Sequence, residues 1–396
     1  MNIKTDIIKP PKQDIFKSGK FRSIVVQIIV MVLVIGSIGW IVNNAATNMK
    51  ANGISHGFAF LWETSFFDIG YLPFIEHTAS HTYFNAFVVG LLNTILVAVL
   101  GIFLATIVGF LVGIGRLSNN WLVAKFCGFY VEVLRNIPLL LQLFFWYHAV
   151  LRILPRAKNS LNLGDSFYLN LKGLFIPKPI PEVGFNYVLL IGIFSIISII
   201  FLFFWAKKRQ ALTGQQFPVF YASLAIFIIP ILIVSFLNDT PMYLEDPVLK
   251  GFNFKGGIRL IPELVALLLA LSLYTASFIA ENVRSGILAI NKGQIEAANA
   301  VGLQRVPILR LIIIPQAMRV IIPPLTSQYL NLTKNSSLAV AIAYPDLVHV
   351  FAGTALMQTG QAVEILAMTM AVYLSLSITI SLLMNFYNKA IALKDR

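Results

Sequence analysis

The residues whose spacing points most clearly to a chemical task are Glu296-Ala297-Ala298, Gly302 and the run Ile312-Ile313-Ile314-Pro315. Ala297 and Ala298 let another helix approach closely. Glu296 places a carboxylate where an early helical turn favours one, and Gly302 permits the chain to turn away. A short helix of this kind suits insertion into a groove of a partner. A second group, Gln328, Asn331, Lys334 and Asn335, puts amides and one ammonium inside an otherwise apolar stretch, where polar groups mark candidate paths for polar solutes. His77 and His81, four apart beside Glu76, have the spacing of two metal ligands. With no further Cys or His nearby in sequence, no metal site is expected. No G-x4-G-K-[ST] phosphate loop, H-E-x-x-H or G-x-S-x-G motif occurs, so neither ATP hydrolysis nor a cofactor is expected of this chain.

The elements that must hold these residues follow from composition. The chain has 396 residues, of which 58% are hydrophobic and 12% charged, with a net charge of +13. A soluble chain carries about 25% charged residues, and a disordered one is poor in apolar residues, so both classes are excluded. The basic residues are too sparse for a soluble nucleic-acid-binding domain. The expected fold class is all-α, a polytopic membrane protein of about eight transmembrane helices, at 24–42, 86–114, 126–153, 186–206, 217–237, 261–281, 321–344 and 362–387. The span 321–344 is the weakest, because Pro323, Pro324, Asn331, Lys334 and Asn335 interrupt it. The first span follows a long basic stretch and reads as an uncleaved anchor, its apolar run exceeding that of a signal peptide. Cys127 reads as an inert small hydrophobe.

Charge orients the spans. With a cytoplasmic N-terminus, nineteen of the thirty Lys and Arg fall in 1–23, 115–125, 207–216, 282–320 and 388–396, the asymmetry of the positive-inside rule. Both termini and the segment 282–320 are then expected in the cytoplasm, and the Pro-rich stretch 154–185 is expected as an outer loop. Gly101, Ala105, Gly109 and Gly113, each four apart, form a small-residue face suited to close helix packing, read as an internal contact rather than a seam with a second subunit. Glu132 and Arg135, three apart, are expected to pair across one helical turn.

The pattern E-A-A-x3-G-x9-I-x-[LI]-P at 296–315 resembles the coupling signature of membrane subunits of ABC importers. The stretches Glu281-Asn282-x-Arg284-Ser285-Gly286-Ile287, Arg135-Asn136-Ile137-Pro138-x3-Gln142 and Lys334-Asn335-Ser336-Ser337-Leu338 resemble the polar and general L-amino-acid branch of that family. Asn136 and Ile137 depart from its usual Gly-Thr. The resemblance covers 86–153 and 261–396. It implies a five-helix importer core with an N-terminal anchor helix and a two-helix insertion. The division is then 1–85 N-terminus, anchor and periplasmic segment, 86–153 first part of the core, 154–259 insertion, and 260–396 second part of the core with the coupling segment 282–320. It further implies a bacterial inner-membrane permease that moves L-amino acids by alternating access. Glu296, Ala297, Ala298, Gly302, Ile312 and Pro315 would couple it to ATP-binding cassette ATPase subunits. A periplasmic amino-acid-binding protein and a second permease subunit, distinct or identical, would be its other partners. The alternative is an ion-driven secondary transporter, for which inverted repeats are the usual sign; none is evident.

Overall fold

The structure, a computed structural model, describes residues 19–51, 57–215, 217–238 and 242–391. The basic residues Lys4, Lys9, Lys12 and Lys17 and the terminal Lys394 and Arg396, used above for orientation, lie outside the described residues. In chain order the helices are α1 (Gly19–Ala51), α2 (Tyr83–Gly115), α3 (Trp121–Asn136), α4 (Leu139–Phe144), α5 (Phe185–Thr213), α6 (Val219–Leu237), α7 (Pro262–Leu288), α8 (Lys292–Ala300), α9 (Arg305–Ile308), α10 (Ile314–Asn335), α11 (Leu356–Thr359) and α12 (Ala362–Ile391). Among the described residues seven helical segments are long and apolar enough to cross a membrane, and the bent pair formed by α3 and the α4 segment is an eighth.

Two spans depart from the sequence expectation. The stretch 126–153 is not one straight helix. α3 starts at Trp121, and the chain bends by 107° between it and the segment starting at Leu139. Pro138 supplies the reason: it lacks an N–H and pushes the preceding residue out of the helical region, and Ile137 is extended at φ −96°, ψ 128°. The span expected at 321–344 begins earlier. Helical structure runs from Arg305 to Ile342, so the part of 282–320 that follows Arg305 belongs to a span. Pro315 is accommodated because the turns before it widen into a π-helix, Leu309–Ile313, which relieves the clash of the proline ring with the carbonyl four residues back.

Contacts divide the chain into two units, residues 1–90 with 350–372 and residues 91–349 with 373–396. In the first, Ile69, Ala86, Val89 and Val350 form a buried cluster, and Phe351 lies against Phe60 and Phe87 with ring centroids 6.2 and 5.0 Å apart.

The second unit is built around α7. Pro262 opens this helix with Glu263 in its first turn, the order a helix start favours. Leu264, Leu267, Leu271 and Ile279 are at most 1% exposed. The small-residue face of α2 lies against it: a Cβ on Gly113 would sit 2.8 Å from the Ala280 carbonyl oxygen and from Val283, and one on Gly109 would meet Ile279 and the Ala276 carbonyl. Gly101 faces Leu332 of α10 instead. Lipid offers helices no hydrophobic drive to associate, so such close backbone approach is what holds them together. Gly286 of α7 plays the same part toward Ile321 and Ala317 of α10.

The segments on either side of α5 and α6 are not loops. They form β1 (Leu161–Leu163), β2 (Phe167–Asn170), β3 (Gly173–Ile176), β4 (Lys178–Pro181), β5 (Met242–Glu245), β6 (Val248–Lys250), β7 (Asn253–Lys255) and β8 (Ile258–Leu260). β1-β2-β3-β8 make an antiparallel sheet, and β4 pairs with β5 and β6 with β7. Phe254 packs on Tyr168 and Phe175 at 4.7 Å each. The turns carry Gly164 and Gly251 at positive φ, the residue type such turns demand.

Candidate coupling helix and translocation face

α8 is a nine-residue helix set between two spans. The Asn291 side chain caps it by accepting from the Gly293 N–H at 2.9 Å, satisfying one of the orphan donors of a helix start. It ends where Gly302 adopts φ +80°; the Gly302 N–H donates to Asn299 at 2.9 Å and the Leu303 N–H to Ala298 at 3.1 Å. Ala298 is buried at 6% exposure. Glu296 and Ala297 face outward. Glu296 lies in the middle of α8 rather than in its first turn, which holds no acid. Just past the helix, Val301 and Val306 are 82% and 72% exposed. Ile312 lies in the π-helical segment and Pro315 in the first turn of α10, both half-buried. Gln316 of α10 donates a hydrogen bond to the Gln294 side-chain oxygen and ties α8 to that span.

On α10, Ile321, Ile322, Leu325 and Leu332 are buried. Gln328, Asn331, Lys334 and Asn335 are spaced by three or four residues; Gln328, four before Leu332, borders the buried side, and Asn331 and Lys334 turn away from it. Asn331 and Lys334 are exposed, Gln328 and Asn335 half-buried. After Asn335 the helix tightens into a 3-10 segment, Ser336–Ile342, which ends at Ala343 with φ +57°. The Ser337 hydroxyl donates to the Lys334 carbonyl at 2.8 Å.

The bend after α3 is a built elbow. The buried Gln142 donates through Nε2 to the carbonyls of Leu134 at 2.8 Å and Ile137 at 2.9 Å, acceptors at the end of α3. Tyr130 donates to the Leu273 carbonyl of α7 at 2.8 Å. Arg135 does not pair with Glu132; among the described residues no such ion pair occurs. Its guanidinium lies 4.0 Å from the Glu281 carboxylate and 5.0 Å from the Phe278 ring centroid. Glu281 also receives Arg116 and, at 2.6 Å, Arg284. The sequence reading missed this junction because its members come from three separate stretches.

It also missed Asp346. This is the one acid between Lys334 and Glu364, a lone charge in an apolar stretch, which was the available signal. Asp346 is 1% exposed. Its carboxylate accepts from the His349 N–H at 2.9 Å and from the Tyr373 hydroxyl at 3.3 Å. Burial pushes its carboxyl up to about 7, against the pull of these hydrogen bonds. Burial also lowers His349 below the usual imidazole range.

His77 and His81 do not form an open ligand pair. His77 is buried, with Nδ1 2.8 Å from Asn85 Oδ1 and Nε2 3.1 Å from the Phe67 carbonyl. His81 Nδ1 accepts from the Thr78 N–H at 3.0 Å. Glu364 accepts from the Gly57 N–H at 2.6 Å.

Residues 218–394 match the family model described as binding-protein-dependent transport system inner membrane component. The chain is 50% identical over 377 residues to the General L-amino acid transport system permease protein AapQ of Rhizobium johnstonii, covering 95% of this chain and 94% of that protein. It is 49% identical over 384 residues to the Putative amino-acid ABC transporter permease protein YhdX of Escherichia coli, covering 96% of this chain and 97% of that one. It is 40% identical over 408 residues to the Glutamate/glutamine/aspartate/asparagine transport system permease protein BztB of Rhodobacter capsulatus, covering 95% of each.

Proposed function

Because this chain belongs to the inner-membrane permeases of binding-protein-dependent amino-acid ABC importers, we propose that α8 is the helix through which it receives the work of ATP hydrolysis. The ATPase resides on a separate subunit. One observation carries the reading: a short, capped helix hangs between two spans, with Glu296 and Ala297 turned outward and Val301 and Val306 exposed beyond it. Such a protrusion fits a groove of a soluble partner. Gln294, Gln316 and the continuity of α9 with α10 would carry a displacement of α8 into the span that bears Gln328, Asn331, Lys334 and Asn335.

Those four residues are proposed to line the translocation path. Amides and an ammonium are costly against lipid, so this face of α10 belongs against a second permease subunit, with the path between the two. An amino acid presents a carboxylate to Lys334 and hydrogen-bonding groups to the amides. Ile312 and Pro315, lying inside the span, would transmit motion rather than touch the ATPase. The transport core is proposed to comprise 86–153 and 260–396, with 154–259 an insertion. The charge distribution supports cytoplasmic termini and α8 on the cytoplasmic side, with a periplasmic amino-acid-binding protein delivering substrate to the opposite face. Transport would alternate between two conformations, and substrate and ATP drive it only by preferring different ones.

The test uses Glu296→Lys and Gly302→Pro, both expressed with the ATPase subunit. Proline cannot adopt the positive φ held at Gly302. Both variants are expected to insert in the membrane and to lose at least tenfold in ATPase recovered by copurification. Recovery at the wild-type level would refute α8 as the docking helix.

A further inference from the structure

Two stretches far apart in sequence meet at a single carboxylate. Arg135 belongs to Arg135-Asn136-Ile137-Pro138-x3-Gln142, at the elbow between α3 and α4. Glu281 belongs to Glu281-Asn282-x-Arg284, in α7, and the two side chains are 4.0 Å apart. Arg116, directly after α2, is the third participant. One acid thus faces three guanidinium groups from α7 itself, the end of α2 and the elbow.

The acceptors are divided unequally. Oε1 takes the Arg284 fork, with Nη2 at 2.6 Å and Nε at 3.2 Å. Oε2 takes Arg116 as a direct hydrogen bond. Arg135 reaches only the outer limit of an ion pair on that same Oε2 and shares its charge with the Phe278 ring. The side chains of Arg116, Arg284 and Arg135 are 16%, 33% and 40% exposed and that of Glu281 26%, so the cluster is partly withdrawn from water and carries a net charge of +2. Removing the carboxylate would leave three like charges with nothing between them, the costly way to break such a cluster.

The location gives the cluster its use. Five residues after Glu281, Gly286 packs on Ile321 and Ala317 of α10, and only three residues separate the end of α7 from the start of α8. Gln142 ties the start of the α4 segment to the end of α3 across the elbow. We propose that Glu281 is a positioning residue for transport: through Arg116 and Arg284 it joins α2 and α7 into one block that follows α8, and the Arg135 contact, which docks the elbow to that block, is the one that makes and breaks. Arg116 and Arg284 hold Glu281 in place through the cycle. Arg135, the loosely held partner, docks the elbow in one conformation and releases it in the other.

The proposal rests on the reading of α8 as the coupling helix, and the experiment separates the two. Wild-type, Glu281→Gln, Glu281→Asp and Arg135→Gln chains are reconstituted in liposomes with the ATPase and the binding protein, and amino acid moved per ATP hydrolysed is measured. Glu281→Gln should still copurify with the ATPase while this ratio falls at least tenfold. Glu281→Asp, which keeps the charge, should recover at least a third of the wild-type ratio. Arg135→Gln, on the most exposed of the three arginines, should lower it at least threefold with assembly intact. A wild-type ratio in Glu281→Gln or Arg135→Gln would overturn the proposal. Loss of assembly in Glu281→Gln together with a wild-type ratio in Arg135→Gln would also overturn it, since Glu281 would then serve folding alone. Failure of Glu296→Lys to weaken ATPase docking would instead strike the reading of α8.

Discussion

α7 and the α5–α6 hairpin are both membrane-spanning by length and composition, yet 61% of the α7 span is buried against 6% for α5 and none for α6. The more deeply buried helix is the less apolar. α7 carries Glu263, Ser272, Thr275, Ser277, Glu281, Asn282 and Arg284, whereas α6 has no charged residue at all. Lipid asks only that a span be apolar all round. A helix inside a bundle can carry small and polar residues because neighbouring helices satisfy them. Hydropathy therefore marks the hairpin more strongly than α7, whose polar interruptions accompany its burial among other helices.

The sharpest way to break this comparison is to add the same side chain to both regions. Gly113→Leu would place atoms against the Ala280 carbonyl and Val283, where only backbone shifts can make room. Overpacking of this kind costs about 1–3 kcal/mol or more, and most of the protein is expected to be lost from the monodisperse peak in detergent size-exclusion chromatography. A Cβ added at Gly192 in α5 meets nothing within 4 Å, and Gly192→Leu is expected to elute as wild type. Equal behaviour of the two variants would mean that α7 is not the packing centre.

A smaller effect, confined to transport, is expected on the polar face of α10. Lys334→Leu and Asn331→Leu should each insert and assemble normally but lower uptake about tenfold in reconstituted vesicles. Phe201→Leu in α5, at a side chain 71% exposed, should leave uptake unchanged. Wild-type uptake in both α10 variants would remove that face from the path.

The smallest effect concerns Asp346. Its carboxyl titrates near 7 when folded and near 3.8 otherwise, so the folded chain holds a proton that the unfolded chain releases between those values. The associated stability is complete below about pH 4 and is lost as pH rises through about 7, amounting to a few kcal/mol at most. The wild-type melting temperature should therefore fall between pH 6 and pH 8. Asp346→Asn should flatten that profile and melt above the wild type at pH 8. A steeper profile in the variant would contradict the buried, protonated carboxyl.

Much of this architecture was legible in the sequence. The spans follow from apolar length, the α2 seam from Gly109 and Gly113, and the end of α8 from Gly302. The bend at Ile137-Pro138 was visible as a proline, yet the apolar residues on both sides masked it as one span. The π-helix before Pro315 was not legible, because a proline at that place reads as a helix start and the chain instead widened to keep going. The strands on either side of α5 and α6 were hidden by their length of three or four residues, too short for an alternating pattern to declare itself. Arg135 could not be assigned from spacing: Glu132 lies one turn away in sequence, and only the fold reveals that Glu281 is the acid it faces. The polar residues of α10 were recognised as a set, but that Asn331 and Lys334 turn outward while Gln328 and Asn335 are half-buried is a property of packing.

The central claim, that this chain moves amino acids as the membrane part of an ATP-driven importer, is tested most directly by uptake in proteoliposomes. The chain would be reconstituted with its second permease subunit, ATPase and binding protein, and accumulation of radiolabelled amino acid measured with and without ATP and with each partner omitted. Accumulation is predicted to require ATP, the ATPase and the binding protein together. Uptake driven by a proton or sodium gradient, with the ATPase absent, would contradict it.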